Sequence, residues 1–271
     1  MQNFSVLMSI YKNTKLSELR ESLESIFAQS VRSDNVVIVF DGAVPAEVES
    51  YLDGLAEERP ELDLVKCEQN RGLGPALATG MERCKNELVA RMDSDDVCAD
   101  GRFEAQLAAF EEHPECSVIG GNMSEFTDSP DNVCAVRNVP ETHGEICEFM
   151  KKRCPFNHIT VMLKKSDVLK AGGYEAWYCN EDYYLWVRMY LSGCKFYNVQ
   201  KIFACARVDS MVERRGGKKY YESERDLFKF MYENNVITRK EYKKAKRVRF
   251  IAYRLLPNRI RRWAFKKFVR N

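Results

Sequence analysis

Short apolar runs alternate with amphipathic segments over the first ninety residues of the chain. Phe4–Ile10, Val36–Phe40 and Leu62–Lys66 predict strands, and the second is apolar on both faces, as buried strands of a parallel sheet are. Residues 45–57 predict a helix between the second and third runs. An earlier helix is predicted because apolar residues recur there at spacings of three and four: Leu16, Leu19, Leu23, Ile26 and Phe27.

A fourth apolar run, Glu87–Met92, ends in a cluster of acidic residues, Asp93, Asp95 and Asp96. Carboxylates this close repel one another unless a divalent cation lies between them or the loop is fully solvated. The cluster is therefore either a hard-cation site or a solvated acidic turn that caps the next helix. It follows a strand in a β-α-β-α-β-α-β pattern, and ligands of open parallel sheets bind at the carboxyl ends of the strands.

A glycine-rich stretch, Asn70–Gly80, lies between the third strand and the third helix. Glycines at such a junction let backbone N–H groups approach a phosphate or a base closely, and Pro75 suits the first turn of a helix. A tight structural turn explains the same residues equally well. The stretch is not a P-loop, because the Gly-Lys-Ser/Thr ending is missing.

The second half of the chain has a less regular pattern. We expect a helix over Gly101–His113, a strand over Ser117–Gly121, irregular structure over residues 122–140 and a strand over Asn157–Leu163. His158 lies at the edge of this last strand, where a histidine is more often structural than catalytic.

Two acidic residues, Glu181 and Asp182, begin the next predicted helix. Acidic residues at a helix start gain from the helix dipole, so a plain amino-terminal cap explains them. We expect Leu185, Trp186 and Met189, which follow in the same helix, to be core residues.

The length of 271 residues, with no linker rich in Ser, Gly or Pro, predicts one main domain over residues 1–217 and a helical basic extension over residues 218–271. The ten cysteines lack zinc-ribbon and thioredoxin-like spacing, so we expect reduced thiols. No targeting segment opens the chain and no apolar run has the length of a membrane span. We therefore expect a cytoplasmic protein.

The net charge of +2 is the sum of an acidic main part of the chain and a strongly basic carboxyl-terminal tail, residues 239–271. Residues 239–271 hold fourteen Lys and Arg against one acidic residue, Glu241, so the rest of the chain carries a net charge of −11. After Pro257, one helical face would be apolar, with Ile260, Trp263, Ala264 and Phe268, and the other basic. This pattern favours binding to an anionic inner membrane surface. A helix packed on the main domain is the alternative, and nucleic acid is not expected because no binding motif accompanies the charge.

Four motifs together resemble the family 2 glycosyltransferases with the GT-A fold. They are Ser-Ile-Tyr at residues 9–11, Val-Phe-Asp-Gly at 39–42, Asn-Arg-Gly-Leu-Gly-Pro-Ala at 70–76 and Ala-Arg-Met-Asp-Ser-Asp-Asp at 90–96. The resemblance covers about residues 3–215 and is strongest to bacterial enzymes of exopolysaccharide, capsule or O-antigen synthesis. It implies an α/β protein with a mostly parallel sheet flanked by helices.

The resemblance also implies roles for particular residues. Asp93 and Asp95 would hold Mn²⁺ or Mg²⁺, and Asp182 would be the general base. The nucleotide-sugar would be bound by Ser9, Tyr11, Asp41, Asn70, Gly72, Arg91, Asp93, Ser94 and Asp95. The acceptor or a diphosphate would be contacted by His158, Glu181, Arg214 and Arg215, although the two arginines could equally face solvent.

The activity implied by the resemblance is inverting transfer of a sugar from a nucleotide-sugar, expected to be a UDP-sugar, to a hydroxyl of a glycan acceptor. The acceptor is expected to be polyprenyl-diphosphate-linked, with the enzyme peripheral at the inner face of the cell membrane. A nucleotidyltransferase-like enzyme and a non-catalytic membrane-surface protein are the alternatives. A nicotinamide dehydrogenase fits poorly, because no Gly-x-Gly-x-x-Gly follows the first strand.

Overall fold

The amino-terminal part is a parallel sheet whose four strands match the predicted apolar runs. The computed structural model describes residues 2–208 and 216–256. In it, β1 (Phe4–Ile10) lies between β2 (Asn35–Phe40) and β4 (Leu88–Arg91), and β3 (Leu62–Lys66) extends the sheet beyond β2. All of these pairings are parallel, so the carboxyl ends of β1, β2, β3 and β4 share one edge of the sheet.

Helices connect these strands as the apolar spacing predicts. The helices of this half are α1 (Leu16–Phe27), α2 (Ala46–Glu58), α3 (Leu73–Arg83) and α4 (Arg102–Glu112). Leu19, Leu23 and Ile26 of α1 are buried against the sheet, which explains their spacing of three and four.

The second half of the sheet mixes directions. Its strands are β5 (Val97–Cys98), β6 (Cys116–Phe126), β7 (Val133–Arg137), β8 (Met162–Lys164) and β9 (Lys195–Arg207). Strand β8 is antiparallel to both β4 and β6, whereas β6 and β9 are parallel. In the described residues the strand order is β3-β2-β1-β4-β8-β6-β9-β5, with β7 paired to the far end of β6.

Two sequence expectations for this half were wrong. Residues 122–140 are not irregular, because β6 runs to Phe126 and β7 follows. The strand was not recognised in the sequence because Asn122, Ser124 and Glu125 are polar, although β6 is buried throughout. The strand expected over Asn157–Leu163 is shorter. Its first part is a 3-10 turn, His158–Thr160, in which Thr160 Oγ1 donates to the Asn157 carbonyl over 2.8 Å.

The remaining helices lie in the carboxyl-terminal half. They are α5 (His143–Met150), α6 (Lys165–Lys170), α7 (Glu181–Leu191), α8 (Gly217–Glu233) and α9 (Arg239–Phe250), followed by a π-helical turn, Ile251–Leu255. No helix among the described residues is long and apolar enough to cross a membrane.

The sheet separates two apolar cores. Helices α1, α2 and α4 cover one face, and α3, α5, α7 and α8 cover the other. Trp186 and Leu185 are buried in the second core, as predicted, and Leu227 and Phe228 of α8 join it. Helix α8 is therefore packed into the second core. The division of the chain at residue 217 stays a prediction.

Candidate active site

The acidic cluster lies directly after β4, at the shared carboxyl edge of the parallel strands. One carboxylate oxygen from each of Asp93, Asp95 and Asp96 lies within 4.8 Å of the others. Burial, and then the neighbouring Asp93, raise the pKa of Asp95 to about 6. The same causes, with Asp95 added, raise the pKa of Asp96 well above its ordinary value. This arrangement favours a cation, which would relieve the repulsion.

Arg91, the last residue of β4, supports this cluster from inside the protein. Its side chain is 2% exposed, and its guanidinium forms an ion pair with Asp93. Burial disfavours the cation, but Asp93, together with Tyr174 and Asp96, raises the pKa of Arg91 above its ordinary value. Its Nε and Nη1 atoms have no hydrogen-bond partner among the described residues. Arg91 was expected to bind the nucleotide-sugar, and in the structure its nearest ionic partner is Asp93.

Backbone and side-chain contacts fix the loop that carries the acids. Ser22 Oγ of α1 donates to the Asp93 carbonyl over 2.9 Å. The backbone N–H of Arg207, in β9, donates to Asp96 Oδ1 over 2.8 Å, and its side chain pairs with Glu21 at 2.5 Å. The loop is thus tied to α1 on one side and to β9 on the other.

Asp41 and the glycine-rich loop form a second unit at the same edge of the sheet. The Asp41 carboxylate accepts the backbone N–H groups of Arg71 over 2.7 Å and Gly72 over 2.9 Å, and the Asn70 side-chain amide donates to the Asp41 carbonyl over 3.0 Å. Gly42 has φ +76°, and a Cβ there would lie 2.6 Å from the Asn70 nitrogen. Both Asp41 oxygens therefore hold the loop beside β2.

The other residues assigned to the nucleotide lie around this edge. Ser9 is half-buried near the end of β1, and Tyr11 follows β1 with 39% of its surface exposed. Ser94 is buried within the acidic loop. The structure therefore gathers Ser9, Tyr11, Asp41, the glycine-rich loop and the acidic cluster at the ends of neighbouring strands.

The start of α3 packs closely against the segment that precedes α7. A Cβ added to Gly74 would lie 2.2 Å from the Glu175 carbonyl oxygen and 3.3 Å from Glu181 Cβ. Only glycine allows this approach, so the glycine-rich loop brings the first half of the chain next to Glu181 and Asp182.

Asp182 lies in the first turn of α7 and is half-buried. Its Oδ1 accepts the backbone N–H of Tyr183 over 2.7 Å, and its Oδ2 accepts the Cys154 thiol over 3.6 Å. Neither contact involves a cation, and each carboxylate oxygen accepts one hydrogen bond. The residue before the helix, Asn180, makes no side-chain cap.

Tyr174 is a buried residue of the same region. Burial raises the pKa of its phenol, the Arg91 cation partly offsets this rise, and the Asp182, Glu181 and Asp93 carboxylates add to it. The phenol hydrogen-bonds His158 Nε2 at 2.9 Å. Burial and the Arg91 cation lower the pKa of His158 well below its ordinary value, so His158 is neutral at pH 7.

Sequence reasoning counted Asp96 in the acidic cluster but gave no individual role to Asp96, Tyr174 or Cys154. Asp96 is next to Asp95 and completes the cluster. Tyr174 follows Ala171 and Gly173, whose carbonyls accept hydrogen bonds from Arg188. Cys154 had no signal, because its contact with Asp182 depends on the fold. Arg214 and Arg215 lie outside the described residues.

Comparisons with known proteins identify the family of this chain. A family model described as glycosyl transferase family 2 matches residues 5–168. The amylovoran biosynthesis glycosyltransferase AmsE of Erwinia amylovora is 37% identical, and the match covers 83% of this chain and 84% of that protein. The UDP-Gal:alpha-D-GlcNAc-diphosphoundecaprenol beta-1,3-galactosyltransferase of Escherichia coli is 34% identical, covering 98% and 96%.

A solved structure shows the same fold at low sequence identity. S. aureus TarS 1-349 in complex with UDP-GlcNAc superposes with a TM-score of 0.69 at 16% identity, over 99% of this chain and 76% of that one. Family match, relatives and fold agree with the motifs at the strand ends. The chain therefore belongs to glycosyl transferase family 2 and has the GT-A fold.

Proposed function

We propose that the protein transfers a sugar from a nucleotide-sugar, with a UDP-sugar as the first candidate, to a hydroxyl of a lipid-linked glycan in cell-surface polysaccharide synthesis. The observation that carries the proposal is the acidic cluster at the carboxyl edge of the sheet, together with the close packing of α3 against Glu181, the neighbour of Asp182. The E. coli relative, whose name includes UDP-Gal and a diphosphoundecaprenol-linked sugar, supports this class of donor and acceptor.

The acidic cluster fits a divalent cation, Mn²⁺ or Mg²⁺. Oxygen ligands suit both ions, and the raised pKa values of Asp95 and Asp96 show that the bare cluster is electrostatically unfavourable. Asp93 and Asp95 would hold the cation, with Asp96 beside them. When bound, it supplies positive charge for the donor diphosphate.

Other residues of the chain contact the nucleotide and take the proton of the acceptor. The loop of Asn70 and Gly72, fixed by Asp41, lies where it can contact the nucleotide. Asp182 takes the proton of the acceptor hydroxyl, whose oxygen bonds to the anomeric carbon while the bond to the nucleoside diphosphate breaks. The bonding pair leaves with the diphosphate. Attack from the face opposite the leaving group inverts the anomeric centre.

We also propose that the carboxyl-terminal region holds the enzyme at the inner face of the membrane. Helix α9 exposes Lys240, Lys243, Lys244 and Arg247 beside Val248, which is 54% exposed, and Ile251 and Leu255 follow with more than half of their surfaces exposed. Basic residues beside exposed apolar ones suit an anionic lipid surface. A lipid-linked acceptor would be within reach there.

The test of donor binding uses isothermal titration calorimetry with UDP, UDP-Gal, UDP-GlcNAc and GDP-Man, each with Mn²⁺ and with EDTA. We expect tight binding only with metal, and Asp95→Ala should weaken it by at least about tenfold because a ligand of the cation is lost. Asp100→Ala, an exposed carboxylate five residues away, is the control. Equal binding in EDTA, or equal loss in both variants, would contradict the metal assignment.

A further inference from the structure

One basic residue of α9 points inward while its neighbours face solvent. The side chain of Arg249 is 12% exposed, and its Nε donates to Glu224 Oε2 of α8 over 2.5 Å. Its Nη2 donates to the Lys152 carbonyl over 2.8 Å, and the guanidinium lies 3.7 Å from the centre of the Phe228 ring. One side chain therefore joins α9, α8 and the loop after α5.

The loop that Arg249 contacts at Lys152 also contacts one oxygen of the Asp182 carboxylate. Cys154, two residues further along the loop, donates its thiol to Asp182 Oδ2 over 3.6 Å, and the same thiol lies 3.5 Å from the Phe156 carbonyl. The Phe156 ring is 5.2 Å from that of Trp186, one turn along α7. The loop and α7 are thus packed together around this carboxylate oxygen.

Phe228, which Arg249 also contacts, packs against Tyr183, and Tyr183 contacts the other oxygen of Asp182. The Phe228 ring meets Tyr183 edge to face, with centroids 6.2 Å apart, and the Tyr183 hydroxyl donates to the Met150 carbonyl. The backbone N–H of Tyr183 donates to Asp182 Oδ1 over 2.7 Å. The two hydrogen bonds to the Asp182 carboxylate therefore come from Cys154 and Tyr183, which are linked to Arg249 through Lys152 and Phe228.

We propose that Arg249 is a positioning residue for Asp182, which it orients through the Cys154 loop and Tyr183. The inference rests on the proposed role of Asp182 as the base. A buried ion pair is weak support for a role in stability alone, because apolar replacements of such pairs are often equally stable. The planar Arg249 guanidinium donates to Glu224 and to the Lys152 carbonyl at once, which no apolar side chain can do.

The test separates positioning from stability. Arg249→Met alone would leave Glu224, which is 5% exposed, buried without its cation, and such a loss is strongly destabilising. The double variant Arg249→Met/Glu224→Gln removes both charges. We expect this double variant to keep a thermal midpoint near that of the parent and to bind UDP with Mn²⁺ within about twofold. Its kcat for transfer should fall by about ten- to hundredfold, the scale for a displaced catalytic group.

Two comparisons make the outcome decisive. Lys229→Met/Glu233→Gln removes an ion pair of α8 whose two side chains are more than half exposed, and should leave kcat unchanged. Normal kcat in the Arg249→Met/Glu224→Gln variant, or an equal loss in the Lys229→Met/Glu233→Gln variant, would overturn the inference. Asp182→Asn is measured alongside: full transfer in that variant would refute the proposed base itself, whereas loss of transfer there with a normal Arg249→Met/Glu224→Gln variant refutes only the role of Arg249.

Discussion

Burial and mutual repulsion set the behaviour of the three carboxylates after β4. The pKa of Asp95 is raised to about 6, from an ordinary value near ~4. Between these two values the folded protein holds a proton that the unfolded chain releases, so the Asp95 contribution makes the metal-free protein less stable as pH rises through this window. A divalent cation bound by Asp95 would compete with that proton.

The first residue-scale prediction follows from this competition. Mn²⁺ should raise the thermal unfolding midpoint clearly at pH 7.5 and only slightly at pH 5, because the protonated carboxyl of Asp95 is a poor ligand. Differential scanning fluorimetry at the two pH values, with Mn²⁺ and with EDTA, measures the difference. The Asp95→Asn variant should show a much smaller effect of Mn²⁺ at pH 7.5. A stabilisation by Mn²⁺ that is the same at both pH values would argue against these ligands.

At the scale of elements, α9 has two faces in different surroundings. Its outer face carries Lys243, Lys244 and Arg247, and its inner face carries Arg249. Sequence reasoning assigned the basic tail a net charge and did not distinguish Arg249 from its basic neighbours. In the structure a carboxylate, a carbonyl and an aromatic ring all contact the Arg249 guanidinium.

Two truncations should therefore behave differently. Ending the chain after Leu256 keeps Arg249, so we expect a folded protein with normal Mn²⁺-dependent UDP binding and weaker co-sedimentation with phosphatidylglycerol vesicles. Ending it after Lys244 removes Arg249 and leaves Glu224 buried and unpaired, which should lower the free energy of unfolding by on the order of 3 kcal/mol.

Thermal unfolding and vesicle co-sedimentation of both truncated proteins test this difference. Vesicles of phosphatidylcholine alone are the control, and binding to the anionic vesicles should fall as salt increases. If the chain ending at Leu256 still binds anionic vesicles as the parent does, with or without salt, residues 257–271 do not serve as the membrane contact.

At the scale of the whole molecule, the sequence predicts local features well and contacts between distant segments poorly. The four parallel strands, Asp93 and Asp95 were found because an apolar run and the acids that end it are contiguous. The strand β6 was missed beyond Gly121 because Asn122 and Glu125 are polar, although both are buried. The contacts of Cys154 and Arg249 with their partners join residues 25 or more apart, and no short pattern encodes them.

In the proposed mechanism Asp182, a carboxylate outside the acidic cluster, removes the acceptor proton. The most direct measurement compares Asp182→Asn with the parent in donor binding and in transfer, using Mn²⁺ and the nucleotide-sugar that binds in the calorimetric screen. We predict donor affinity within about twofold of the parent and transfer reduced by about a hundredfold or more, because the amide keeps the shape but cannot accept the proton. Unchanged transfer with normal donor binding would contradict the account.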